Sequence, residues 1–148
     1  MKKAKSLLLF IPSIENGGVE KNLYLIANYL AKTSLSVKIL TAFDDKKKLF
    51  DKKIRIISLK RKNIFIKSRL IKTIITIAFF VRYFYNKDVV ILSFQSNIVA
   101  ILLGLIFNKK VIIRSNTSPE KYIKNNIKKL IIKFFFSFAD EIIVNSIE

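Results

Sequence analysis

The stretch that most constrains this chain is residues 6–20, SLLLFIPSIENGGVE. An apolar run at residues 7–11 stops at Pro12, a short polar loop follows, and Gly17-Gly18 open the segment 19–32. That segment places Leu23, Ile26, Ala27 and Leu30 at helical spacing. The expectation is a buried strand, a glycine loop and a helix. Two adjacent glycines leave the backbone free to take positive φ and let a ligand approach the main chain. The loop also sits at a helix N-terminus, where free N–H groups and the helix dipole favour an anion such as phosphate. The plain alternative is a βα turn with no ligand. No Lys-Ser or Lys-Thr pair follows, so this is not a Walker loop, and the spacing is not that of the GxGxxG dinucleotide fingerprint.

The same alternation continues to the end. Residues 36–42 (SVKILTA) and 54–59 (IRIISL) are expected strands, separated by a charged loop at 43–53. Asp44-Asp45 in that loop stand beside Lys46-Lys47-Lys48 with no further carboxylates clustered, which is the composition of a solvated loop rather than a metal site. Residues 64–85 are expected as one long helix. Its polar stripe is Arg69, Lys72, Thr73 and Thr76, and its wide apolar face holds Leu70, Ile71, Ile74, Ile75, Ala78 and Val81. The wide face is expected against a sheet and the stripe in water; the other reading is a basic, aromatic-rich helix lying on a membrane surface. Residues 88–94 (DVVILSF) are apolar almost throughout, as buried parallel strands are. A buried helix at 98–107, a strand at 110–114, a helix from Pro119 and a strand at 141–145 complete the rhythm. In the last helix Tyr122, Ile123, Ile127, Leu130, Ile131, Phe134, Phe135 and Phe138 are expected inward.

Strands alternating with helices mean an α/β fold, a doubly wound parallel sheet of Rossmann type, and 148 residues are enough for one such domain with a real core. In these sheets ligands bind beyond the C-terminal strand ends, where the strand order reverses. Those ends are residues 12–18, 94–97 and 114–118, each polar where the preceding strand is apolar.

Composition removes whole classes of chemistry. There are no cysteines and no histidines, so disulfides, thiolate zinc sites and Ser-His-Asp or Cys-His catalysis are excluded. Lys and Arg number 28 against 10 Asp and Glu, a net charge of +18 that favours polyanionic partners. The abundance of Ile, Lys, Asn and Phe is also what A/T-rich coding produces, which inflates lysine without functional pressure. No helix-turn-helix, RNP or zinc-finger pattern supports nucleic acid as the polyanion. Lys2, Lys3 and Lys5 before the first apolar run imitate a signal peptide, but Pro12 breaks the run and no small-residue cleavage site follows. No uncharged apolar stretch of the ~18–20 residues needed for a spanning helix is free of a polar interruption. The nearest, 89–107, carries Ser93, Gln95, Ser96 and Asn97.

Three stretches resemble the family 4 glycosyltransferases. IPSIENGGVEKNLYLIANYLAK is similar to that family's opening strand, Gly-Gly-x-Glu loop and helix. VVILSFQSNIVAILLGLIFNKKVIIRSNTSPEKY resembles its middle strands, and FFFSFADEIIVNS its helix, Ala-Asp, strand and Ser segment. The resemblance implies one of two Rossmann-like lobes that face a common cleft. The N-terminal lobe holds the acceptor, and a C-terminal lobe with a Glu-x7-Glu signature holds the nucleotide-sugar donor. The expectation for residues 1–148 is then the acceptor-side lobe of a retaining enzyme, inactive without its second lobe. By the same resemblance Gly17 and Gly18 lie against the donor's phosphate and the transferred sugar, Glu20 of the same loop sits in the first helical turn, either favouring the dipole or holding the loop, and Gln95, Asn97, Arg114, Asn116 and Ser118 line the acceptor side. It implies a nucleotide-sugar donor, a glycan or glycolipid acceptor, no cofactor or metal, and a cytoplasmic place at the inner face of the membrane. Many members carry a histidine after the middle strands; here Gln95, Asn97 and Asn116 occupy that region. The competing expectation is a free-standing basic module that binds anionic lipid or another polyanion. A flavodoxin-like or response-regulator-like domain lacks support, because the acidic cluster and serine-rich phosphate loop those need are absent.

Overall fold

The computed structural model describes residues 6–15, 17–33, 35–43, 47–60, 66–115 and 126–144. Six parallel strands form one sheet: β1 (Ser6–Phe10), β2 (Ser36–Phe43), β3 (Arg55–Leu59), β4 (Val89–Ser93), β5 (Val111–Ser115) and β6 (Glu141–Val144). Their order is β3-β2-β1-β4-β5-β6, so the sheet winds outward in both directions from β1 and β4. Leu7 of β1 pairs with Val37 on one side and Val90 on the other. The expected doubly wound sheet is present, and its switch point lies between β1 and β4.

Among the described residues four α-helices cover it: α1 (Gly18–Leu30), α2 (Arg69–Phe84), α3 (Asn97–Phe107) and α4 (Asn126–Phe136). Because successive strand side chains alternate in direction, β1 feeds two cores. Leu8 and Phe10 pack with Phe80 and Phe84 of α2 and with Ala100, Ile101 and Leu103 of α3. Leu9 and Ile11 pack with Leu23 and Ala27 of α1 and with Leu92 and Phe94 from the β4 region. Both faces of β1 are therefore dry, which is why its sequence is apolar without alternation. Helix α3 presses on β5 through Gly104, where an added Cβ would overlap Val111 Cγ2. The helix stops at Asn108, which adopts a left-handed conformation (φ 50°), while the Lys109 amide bonds Gly104 O at 2.8 Å. Asp140 sets the register of β6: its carboxylate accepts from the Val111 amide at 2.7 Å, and its own amide donates to Val111 O at 2.9 Å.

Four expectations are corrected. The helix expected over 64–85 begins at Arg69: residues 66–68 are not helical, and Ser68 caps it by accepting from the Ile71 amide. Its facing is inverted. Thr76 is fully buried with Phe80 and Phe84, whereas Leu70, Ile71, Ile74 and Val81 are exposed. The threonines can turn inward because the helix itself satisfies them. Thr76 Oγ1 donates to Lys72 O at 2.8 Å and Thr73 Oγ1 to Arg69 O at 2.9 Å. Helix α4 likewise meets the core through Phe136 and Ala139, leaving Ile127, Leu130, Ile131, Phe134 and Phe138 in solvent. Tyr122 and Ile123 lie outside the described residues. Finally, the 43–53 loop is not wholly solvated. Lys47–Leu49 form a 3-10 turn, Phe50 is buried against Tyr24, and Asn28 of α1 bonds both Leu49 O and the Asp51 amide. Asp44, Asp45 and Lys46 lie outside the described residues.

Candidate functional site

Where β1 and β4 end side by side, the chain turns away in opposite directions and leaves a cavity of about 500 Å³. Its walls are the β1–α1 loop (Pro12, Ser13, Glu15, Gly17, Gly18), the β4–α3 loop (Phe94, Gln95, Ser96) and the first turns of α1 and α2 (Val19, Glu20, Arg69, Thr73). This is the location at which an open parallel sheet offers a ligand crevice.

The glycines earn their place differently from the sequence expectation. Neither has positive φ. Gly17 is extended (φ −145°), a conformation any residue can adopt, and it caps α1 without a side-chain hydrogen bond. A Cβ there would stand 2.7 Å from Glu20 Oε2, so the end of that side chain would have to shift to admit it. A Cβ on Gly18 would meet nothing within 4 Å, so Gly18 opens the cavity wall rather than relieving a clash.

Glu20 is buried in the first turn of α1 and ties the two loops together. Its Oε1 accepts from Gln95 Nε2 at 3.1 Å and from the Glu15 amide at 3.4 Å. Of the two roles the resemblance implied for Glu20, holding the loop is the one the hydrogen bonds describe. Gln95 lines the cavity as its partner.

A second polar set forms the outer rim. Lys72 Nζ donates to Ser13 Oγ at 2.8 Å, Ser13 Oγ donates to Glu15 Oε1 at 2.8 Å, and Lys72 also approaches Glu15 Oε1 at 3.4 Å. Arg69 closes the set with an ion pair to Glu15 Oε2 at 3.5 Å. The Ser13 hydrogen bond, then Lys72, holds the Glu15 carboxyl below the usual carboxylate range. Ser13 and Glu15 fall within the strand end 12–18 expected to meet a ligand without being singled out there, and Arg69 and Lys72 are not among the expected site residues. A signal existed: residues 69, 72, 73 and 76 form an i, i+3, i+4, i+7 stripe, the spacing of one helix face.

Asn97 and Arg114, also expected at the site, are not among the residues that line the cavity. Asn97 begins α3 and spends its amide on the frame, receiving the Ser93 hydroxyl at 2.8 Å and donating to Arg114 O at 3.1 Å. Arg114 is buried at the end of β5, with its guanidinium over the Phe94 ring at 5.6 Å, and does not line the cavity. Burial lowers its pKa from the ordinary arginine value. Asn116 and Ser118 lie outside the described residues. Ser96 lines the cavity with φ 56°, a left-handed conformation that costs a serine energy and that concentrates at functional sites.

No family model matches the chain, and no curated protein sequence matches it. Among solved structures it is similar to Anabaena Alr3699/HepE, crystallised in complex with UDP and glucose, with a TM-score of 0.64 and 20% sequence identity. The likeness covers 96% of this chain and 38% of that one, so this chain spans well under half of the longer protein's length. At that identity the likeness establishes the fold: an α/β, Rossmann-like unit matching part of a larger chain.

Proposed function

We propose that this chain is the acceptor-side lobe of a retaining, two-lobed glycosyltransferase. It would use a nucleotide-sugar donor and act on a cell-surface polysaccharide or lipid-linked acceptor. The observation that carries the reading is the cavity at the β1/β4 switch point, walled on one side by the bare backbone of Gly17 and Gly18. The likeness to part of a protein crystallised with UDP and glucose, the two components of a nucleotide sugar, supports it. Transfer with retention passes through an oxocarbenium-like transition state while a nucleoside diphosphate leaves. The main demand is electrostatic, to place amide dipoles and cations where negative charge develops. The first turn of α1 offers uncapped backbone amides, and Glu20 with Gln95 acts as a positioning pair that keeps the loop open. Residues gripping the rest of the donor would come from a second lobe, in cis or in trans.

The test is binding and turnover with a panel of nucleotide sugars, for the 148-residue chain alone and joined to a donor lobe. Transfer is expected only in the joined form. Failure to bind or turn over any nucleotide sugar in either form would refute the reading.

A second reading has its own observation. Leu70, Ile71, Ile74 and Val81 on α2 are exposed on a chain of net charge +18, the pattern of a helix lying on anionic lipid. Salt-sensitive sedimentation with anionic vesicles that is lost in Ile74→Asp, in a chain inert toward nucleotide sugars, would favour a basic membrane module. No described helix is long and apolar enough to cross a membrane.

A further inference from the structure

The rim cluster has no adequate structural explanation. Arg69 and Lys72 occupy the first turn of α2, where positive charge opposes the helix dipole. Ser68 already caps that helix. The Arg69–Glu15 pair is solvent-facing, with Arg69 80% exposed, and such pairs contribute little to stability. Arg69 nonetheless stands in the wall of a cavity that is also lined by glycine backbone, and Lys72 lies beside it, bonded to Ser13 and Glu15 of the same wall. The balance of charge there is informative. Arg69 and Lys72 are offset by Glu15 at the rim and Glu20 beneath it, so the mouth is close to neutral as it stands. Glu20 is buried and held by Gln95; Glu15 is half-exposed on a loop. Only Glu15 is placed to leave, and its departure would turn two cations toward the cavity.

We propose that Arg69 and Lys72 are a phosphate-binding pair belonging to this lobe, held in reserve by Glu15, which an incoming phosphate displaces. The proposal deepens the glycosyltransferase reading and rests on it for the cavity's role. It assigns this lobe its own cations for a phosphate group, whether that phosphate comes from the donor's diphosphate or from a phosphorylated acceptor. An arginine fork beside a lysine matches the oxygens of a phosphate by charge-assisted hydrogen bonds. The carboxylate of Glu15 occupies the same donors meanwhile, which keeps the pair ordered and disfavours weak anions.

Calorimetric titration of the full 148-residue chain at low ionic strength tests this, with UDP, a short-chain alkyl phosphate, and uridine as the phosphate-free control. Glu15→Gln should tighten phosphate binding by about two- to fivefold, the scale of an exposed ion pair. Arg69→Gln and Lys72→Gln should each weaken it by about tenfold, the scale of a hydrogen bond to a charged group. Uridine binding should not change among the variants. Glu15 and Arg69 are exposed enough that their substitution leaves folding intact, and thermal melts would verify it. That pattern with UDP assigns the pair to the donor. The same pattern with the alkyl phosphate alone supports the pair as an acceptor-phosphate site and counts against donor binding at the glycine loop. Binding of UDP and of the alkyl phosphate that is equal in all four proteins overturns the pair and leaves the glycosyltransferase reading standing. Weaker binding in Glu15→Gln shows that Glu15 organises the cations rather than competing for them, and overturns the displacement. Binding of neither phosphate overturns the pair, and the glycosyltransferase reading falls with it only if the form joined to a donor lobe is silent as well.

Discussion

Strands β1 and β6 are built from the same kind of residue and have opposite fates. Leu8, Leu9 and Phe10 of β1 are buried on both faces between α1 on one side and α2 and α3 on the other. IIV in β6 is exposed throughout, paired along one edge to β5 alone. Nothing local distinguishes them, because apolarity is a property of the residue and burial a property of what stands opposite. The contrast extends to the helices: α1 buries Leu23 and Ala27, while α4 has no buried residue among those described. The site lies at the dry end of this gradient, where rigid strand ends can hold a cavity open. The wet end presents Ile127, Leu130, Ile142 and Val144, an apolar surface of the sort that marks an interaction face.

The largest test of the contrast pairs Phe10→Ala with Ile143→Ala. Removing the Phe10 ring should cost about 3–5 kcal/mol. Truncating exposed Ile143 should cost about 0.5 kcal/mol, the range of surface changes. Urea denaturation of both variants measures this. A loss of more than about 2 kcal/mol at Ile143, the scale of a buried aliphatic truncation, would mean that β6 is covered in solution. Gly104→Ala probes the seam between the two regions. Overlap with Val111 should destabilise by about 1–3 kcal/mol, and a neutral result would mean that α3 can lift from β5 freely.

Gly17→Ala and Gly18→Ala sharpen the comparison within the site. The first must displace the Glu20 carboxylate and strain its bond to Gln95, an expected loss of about 1 kcal/mol. The second has open space at a helical position and should be neutral or stabilising by up to about 1 kcal/mol. Opposite signs in thermal melts would confirm that room for Glu20, rather than backbone conformation, selects glycine at 17. The smallest effect concerns Glu15. Its folded pKa lies below the ordinary value of 4.5, so its pairing stabilises above that value and is lost as pH falls through the lowered one. With the side chain half exposed, the contribution should be under about 0.5 kcal/mol after screening. It should appear as a small drop in the urea midpoint below pH 4.5 that Glu15→Gln abolishes.

Much of the architecture was legible because it rests on short-range pattern. Apolar runs broken by Pro12 and Gly17-Gly18, the unbroken apolarity of residues 89–92 and the spacing of Leu23, Ile26, Ala27 and Leu30 each report a local period, and a period names an element. From alternating elements a parallel sheet follows, and from the sheet the end at which ligands bind. That reasoning placed residues 12–18 and 94–97 at one crevice, and Gly17, Gly18 and Gln95 do line the cavity there, whereas Glu20 entered only through the family resemblance.

Orientation was decided elsewhere. Helix α2 turns its threonines inward because its own carbonyls satisfy them, so side-chain polarity alone misassigned its wet face. Asn97 and Arg114 sit at strand ends as expected, but a hydrogen bond to Ser93 and stacking on Phe94 draw them into the frame. Ser13, Glu15, Arg69 and Lys72 come from segments more than fifty residues apart in the chain, on α2 and the β1–α1 loop. Their meeting depends on the crossover from β3 to β4, which carries α2 over the mouth of β1. By itself the sequence determined which segments are strands and helices and where the glycine loop lies. Only the tertiary structure decided which faces are dry and which charges meet, because both depend on partners that no local window contains.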